Sequence, residues 1–168
     1  MVDPLSDPRA ADLLDAVAED VTALAAAFRA AADQSELTAA GLQAAQHDGT
    51  WAGSAADRFR TAIGRLPGRL ARVRAGYAAV ADALVAYEPE LARLRWAFAH
   101  TAAELSAARS RAGDATADPV AGEQHQQEVI RLTRRAADLL DEFSAARRGC
   151  RDAIAAAQHG AVIRPLGA

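Results

Sequence analysis

Apolar residues return along this chain in alternate steps of four and three, the spacing that lays one seam along a helix. The longest run is Phe59, Ile63, Leu66, Leu70, Val73, Tyr77, Val80, Leu84, Tyr87, Leu91, Leu94, Phe98, Thr101, Leu105 and Ala108, all large and apolar except Thr101 and Ala108. Its phase passes Pro67, Gly68 and Pro89 without resetting. A loop at either proline would shift the register, so the pattern predicts one helix over 55–112, kinked at Pro67 and Pro89. Upstream, Asp7 and Pro8 read as an N-cap and a first-turn proline. Leu14, Val17, Val21, Leu24, Phe28, Ala31, Leu42 and Ala45 then keep a weaker beat that predicts a helix over 8–47, loosened near Gln34 and Ser35. Residues 113–118 form a polar connection, and Asp118-Pro119 repeats the start signal. The third seam, Val129, Leu132, Ala136, Leu139, Phe143, Ala146, Cys150, Ala153 and Ala157, predicts a helix over 119–159, before a tail over 160–168.

The connection over 48–54 is spelled as a tight turn. Asp48 and Gly49 stop the first helix, and Gly53 permits close backbone approach. Ser54 is expected to cap the next helix, with Asp57 reaching back from three residues on. Trp51 falls outside both helices but beside their ends, where it is expected to pack with Phe59 and close the hairpin's tip or to present its edge to a partner. The expected fold is all-α, a single domain built as an elongated antiparallel bundle of three long helices. A second seam on the middle helix, Val85, Ala92, Trp96, Ala99 and Ala103, would receive the third helix, which places Trp96 in the core.

Composition reinforces the helical reading and removes several functions. Alanine, the best helix former, occurs 47 times in 168 residues, beside 19 arginines and no lysine or asparagine. A net charge of −3 gives no reason to expect nucleic acid. The one cysteine excludes an internal disulfide, and its seam position predicts an inert thiol. No apolar run is long enough for a signal peptide or membrane span, so stable membrane insertion is not expected.

Of the four histidines, none has a glutamate three residues before it, and the pair His125 and Glu128 is too small a set for a metal. The carboxylates sit among arginines on outward faces. No enzyme, cofactor or metal is therefore expected. Charge is uneven, however: residues 55–75 hold Arg58, Arg60, Arg65, Arg69, Arg72 and Arg74 against Asp57. The opposing stretch, 28–44, supplies only Asp33 and Glu36, which leaves a basic patch near the turn for solvent or an acidic partner.

Trp51-x-Gly53 followed by Ala55, Ala56 and Phe59 resembles the turn of the WXG (Esx-type) helical-hairpin proteins exported by bacterial type VII secretion systems. Phe59-Arg60, Leu66-Pro67, Leu70, Ala75, Ala78, Ala81-Asp82-Ala83-Leu84 and Tyr87 extend the resemblance to the N-terminal targeting domain of actinobacterial cargo proteins, over about residues 10–112. The resemblance implies a non-enzymatic targeting or partner-binding domain, or a secreted substrate. Such a chain pairs with itself or a WXG-like partner, meets the secretion ATPase, and is either exported by the type VII route or cytoplasmic before export.

The family's Tyr-x-x-x-Asp/Glu export signal is missing, since Tyr77 is followed four residues on by Ala81 and Tyr87 by Leu91. Leu84 and Glu88 meet only a looser form. A strip of small residues, Thr61, Gly64, Gly68, Ala71, Ala75 and Ala78, is expected to seat a helix of another chain. The alternative reading is a cytoplasmic helical scaffold or adaptor with no secretion role.

Overall fold

A computed structural model of the chain describes residues 3–47, 50–114 and 119–161. They are all-α, with no strand among them. A 3-10 turn at Pro4–Ser6 precedes α1 (Pro8–Asp15), α2 (Ala18–His47), α3 (Ser54–Ile63), α4 (Leu66–Asp114) and α5 (Pro119–Ala161). The expected stops at Asp48-Gly49, the Asp118 cap and the tail beyond Ala161 fall outside the described residues.

Two of the expected long helices are interrupted. The first breaks at Ala16–Val17, where Ala16 is extended (φ −65°, ψ 124°), and runs unbroken through Gln34 and Ser35. The Asp7 cap is as expected: its carboxylate accepts the Arg9 amide at 2.9 Å. The second helix divides at Gly64-Arg65, so Pro67 stands in the first turn of α4 and is not a kink inside one helix. The reason is local, because a helix continued through this point would aim the Pro67 ring at the Ile63 carbonyl and leave that carbonyl without a donor. In the first turn of a new helix the missing amide costs nothing. Pro89, by contrast, lies within α4, as the unbroken seam requires.

The tertiary contacts divide the chain into two compact units. The first comprises Met1–Ala18 and Tyr87–Gly149. Its interior holds the largest fully buried side chains, Phe98, Leu13, Leu91, Leu94, Leu105, Leu132, Leu139 and Leu140. Leu105, Ala108 and Leu132 form one cluster, against which Leu5 and Val129 pack. Here the α4 seam is filled as predicted, and α5 supplies Leu132, Ala136, Leu139 and Phe143 from its own.

Ion pairs tie the segments of this unit at its rim: Arg9 to Asp141 at 2.7 Å, Arg147 to Asp12 at 3.1 Å, Arg93 to Glu142 at 2.8 Å and Arg109 to Asp3 at 2.9 Å. The Arg109 guanidinium and the Leu5 amide together hold the Asp3 carboxyl below its ordinary range. A carboxylate with a depressed pKa in the folded state stabilises above the unfolded pKa, and this contribution is lost as pH falls. Arg109→Ala should therefore lower the thermal midpoint at neutral pH. Its difference from wild type should close between about pH 5 and pH 2; a constant gap across an acid titration would contradict the pairing.

The second unit comprises Glu19–Ala86 and Cys150–Ala168. Its core is thinner. Among the described residues its buried apolar side chains are Ala25, Ala32, Ala56, Ile63, Val80, Ala81 and Leu84, four of them alanine. Ala25, Val80 and Leu84 form its cluster, with Val21, Phe28, Cys150, Ile154 and Ala157 packed against it. On α2 the buried line is Ala25, Ala32 and Ser35, one position round from the expected Leu24 and Ala31, and Leu24 is left half exposed. Alanines on this line bury little apolar area. Ser35 is satisfied by donating to the Ala31 carbonyl at 2.8 Å.

Each buried leucine or phenylalanine withholds about 1.5–3 kcal/mol of apolar surface from water, several times what an alanine methyl can. Amides of α3 and the first five turns of α4 should accordingly exchange with solvent faster than those of α4 around Phe98. Hydrogen exchange with mass-spectrometric readout tests this, and uniform protection along α4 would refute it.

Candidate partner-binding surface

The turn before α3 is built on Gly53. Its φ of 102° and ψ of 174° lie in a region that side-chain-bearing residues avoid. Gly53 itself is the N-cap, its carbonyl accepting the Asp57 amide at 3.1 Å. Ser54 is thus the first helical residue and makes no cap bond, and Asp57 does not reach back. Asp57 instead pairs with Arg60 Nη1 at 3.2 Å, while Arg60 Nη2 donates to the Trp51 carbonyl at 2.6 Å. This Arg60 clamp was not foreseen; its only trace in the sequence is the three-residue spacing from Asp57.

Trp51 and Phe59 meet as expected, ring centroids 5.4 Å apart and tilted by 54°. Neither is buried: Trp51 is 48% and Phe59 40% exposed. Ala56, between them in sequence, is fully buried, while Ala55 faces solvent.

The strip of small residues separates into two kinds of position. Gly64 has a reason within the chain, since a Cβ there would lie 3.1 Å from Gln46 Nε2 and 3.2 Å from the Arg60 carbonyl. Gly68 has none, because a Cβ would meet nothing within 4 Å. Thr61, Ala71 and Ala75 are likewise exposed, and Ala78 is half-buried. Leu84, of the looser export pattern, is in the core of the second unit, and Glu88 is half-buried.

Within the first unit Trp96 is not in the core but 71% exposed, stacked on His100 with centroids 5.5 Å apart and planes 6° from parallel. Ala92, Ala99 and Ala103 are exposed with it, as is Val85 in the second unit. The second seam therefore receives nothing. The large residues of the main seam bury more area per contact, so α5 and the N-terminal turn pack on Leu105 and its neighbours instead.

Potential chemistry stays dispersed. His47, His125 and His159 each donate Nδ1 to the carbonyl four residues earlier. No group of three metal-ligating side chains occurs among the described residues. Cys150 is half-buried, and desolvation pushes its thiol pKa up, away from nucleophilic character. A shallow groove on α5, lined by Val120, Glu123, Gln127 and Arg131, is formed by side chains of that helix alone. Among the described residues no helix is long and apolar enough to cross a membrane.

No protein-family model, curated protein or solved structure matches this chain.

Proposed function

We propose that this chain is a non-enzymatic WXG-like protein associated with type VII secretion, serving as a targeting or partner-binding domain or as a secreted substrate. One observation carries the reading: at the Trp51-x-Gly53 turn the Trp51 and Phe59 rings pack on each other and yet stay 48% and 40% exposed, an apolar surface at the tip. A helical protein partner, either a second copy or a WXG-like hairpin, would cover that surface. The finer architecture belongs to the same proposal, with residues 10–112 acting as the family's hairpin and α5 as an addition to it. Since Leu84 is buried, a recogniser would reach only Glu88 of the looser signal. Export then relies on a signal carried by the partner, with the secretion ATPase as its reader.

The test is expression of the tagged chain, with its genetic neighbours, in an actinobacterium that has a working type VII system. The chain should accumulate in the medium, and deletion of the secretion ATPase should retain it in the cell. Trp51→Ala should reduce both export and capture of the helical partner. Retention in cells whose ATPase is intact would sink the proposal and leave the cytoplasmic adaptor.

A further inference from the structure

We infer that the exposed side of α3 and early α4 receives an acidic amphipathic helix of a different protein, held by a row of arginines. This rests on the partner-binding reading above and adds the partner's chemistry. Arg58 on α3, Arg65 in the break, and Arg69 and Arg72 on α4 recur at steps of seven, four and three, helical spacing that the αR dihedrals of Gly64 carry across the break. None of the four holds an ion pair with another described residue. Their neighbours show the contrast, because Arg74 is taken by Glu36 at 3.2 Å and Arg60 by Asp57 and the Trp51 carbonyl. Four guanidinium groups without an ion pair among the described residues, on a chain of net charge −3, are a local excess that solubility does not require.

Beside that row, one step round the helix, lie the exposed Thr61, Gly68, Ala71 and Ala75. A glycine inside a helix costs about 1 kcal/mol relative to alanine, and nothing within the chain crowds Gly68. The two features fit one occupant: a helix whose backbone approaches along the small residues while its carboxylates meet the arginines, which bind carboxylates in a planar fork. A lipid surface fits less well, because the large exposed residues of these helices, Phe59 and Tyr77, fall by their spacing on the flank of the arginine row away from the small residues. Nucleic acid needs no small-residue trough. A second copy lacks the matching surface, since its exposed acids without an ion pair among the described residues, Asp15, Glu19, Asp20, Asp33, Glu123 and Asp138, include no three on one helix at steps of three, four or seven.

The probe is a synthetic alanine-based helical peptide of about 28 residues with glutamates at steps of seven, four and three. Fluorescence anisotropy reports its binding to the whole protein. Binding is expected to weaken at least about tenfold between roughly 50 and 300 mM salt, because the contacts are exposed charges. Arg65→Glu with Arg72→Glu should abolish it, and so should Gly68→Leu, which leaves every charge in place; circular dichroism confirms that each variant is folded.

Unchanged binding by Gly68→Leu would reduce the surface to unspecific charge and overturn the inference. Equal or tighter binding to phosphatidylglycerol vesicles or duplex DNA would overturn it too. Export that persists with the arginines reversed defeats this inference and spares the targeting function. Peptide binding by a chain that is never exported does the opposite.

Discussion

Phe98→Ala should cost about 3–5 kcal/mol, the usual loss when a buried phenylalanine is truncated and its cavity cannot collapse. Phe98 has no exposed surface and sits on α4 between Leu94 and Leu105, which are equally buried. The buried side chains of this unit on α4 and α5 are mostly leucine and phenylalanine, and a close-packed interior of that kind has little freedom to close over a void. Urea denaturation followed by helical ellipticity is the measurement. A loss near 1 kcal/mol, as expected of a half-exposed seam residue, would show that the α4 seam is not closed there. Tyr77, on the same seam but 36% exposed, is the internal control and should lose much less.

Gly53→Ala should be the most damaging single change in the turn, at about 1–3 kcal/mol. A Cβ at this position meets no neighbour within 4 Å, so the cost arises from the backbone alone, held at φ 102°. An alanine would pull φ negative and swing Trp51 away from Phe59. Loss of tip structure should appear as a change in tryptophan emission alongside the fall in stability. Ser54→Ala separates this account from a side-chain cap: with no cap bond to lose, it should stay within about 0.5 kcal/mol of wild type. A Ser54 loss of about 1 kcal/mol, with Gly53→Ala tolerated, would restore the serine cap that the sequence pattern favours.

These two changes probe different layers of information in the chain. Helical character and the α4 and α5 seams are legible residue by residue, because a step of three or four positions is a local property of the helix. The Asp7 cap and the Trp51–Phe59 contact are local too, and both are found where the spacing puts them. The division before Pro67 was hidden by its own regularity. Gly64 keeps helical dihedrals, with φ −58° and ψ −22°, so the chain leaves helical hydrogen bonding without losing phase.

What only the tertiary structure decides is how far each seam is covered. Phe59, Tyr77, Leu91 and Phe98 look alike as members of one pattern, yet the first two are exposed and the last two buried. Coverage depends on the sizes of the residues opposite, which lie far away in the chain. Leucine and phenylalanine from α5 are buried in the first unit, while in the second α2 buries Ala25 and Ala32 and its larger Val21 and Phe28 are only partly covered, Phe28 against Tyr77 with ring centroids 5.9 Å apart. Trp96 was misplaced for the same reason, since an apolar stripe shows a face able to pack and not whether another helix buries more by packing elsewhere. The arginine row is a result of the same kind: its spacing is written in the sequence, but that Arg29 and Arg74 meet Asp82 and Glu36, while Arg58, Arg65, Arg69 and Arg72 hold no ion pair with a described residue, follows from which carboxylates the fold brings within reach.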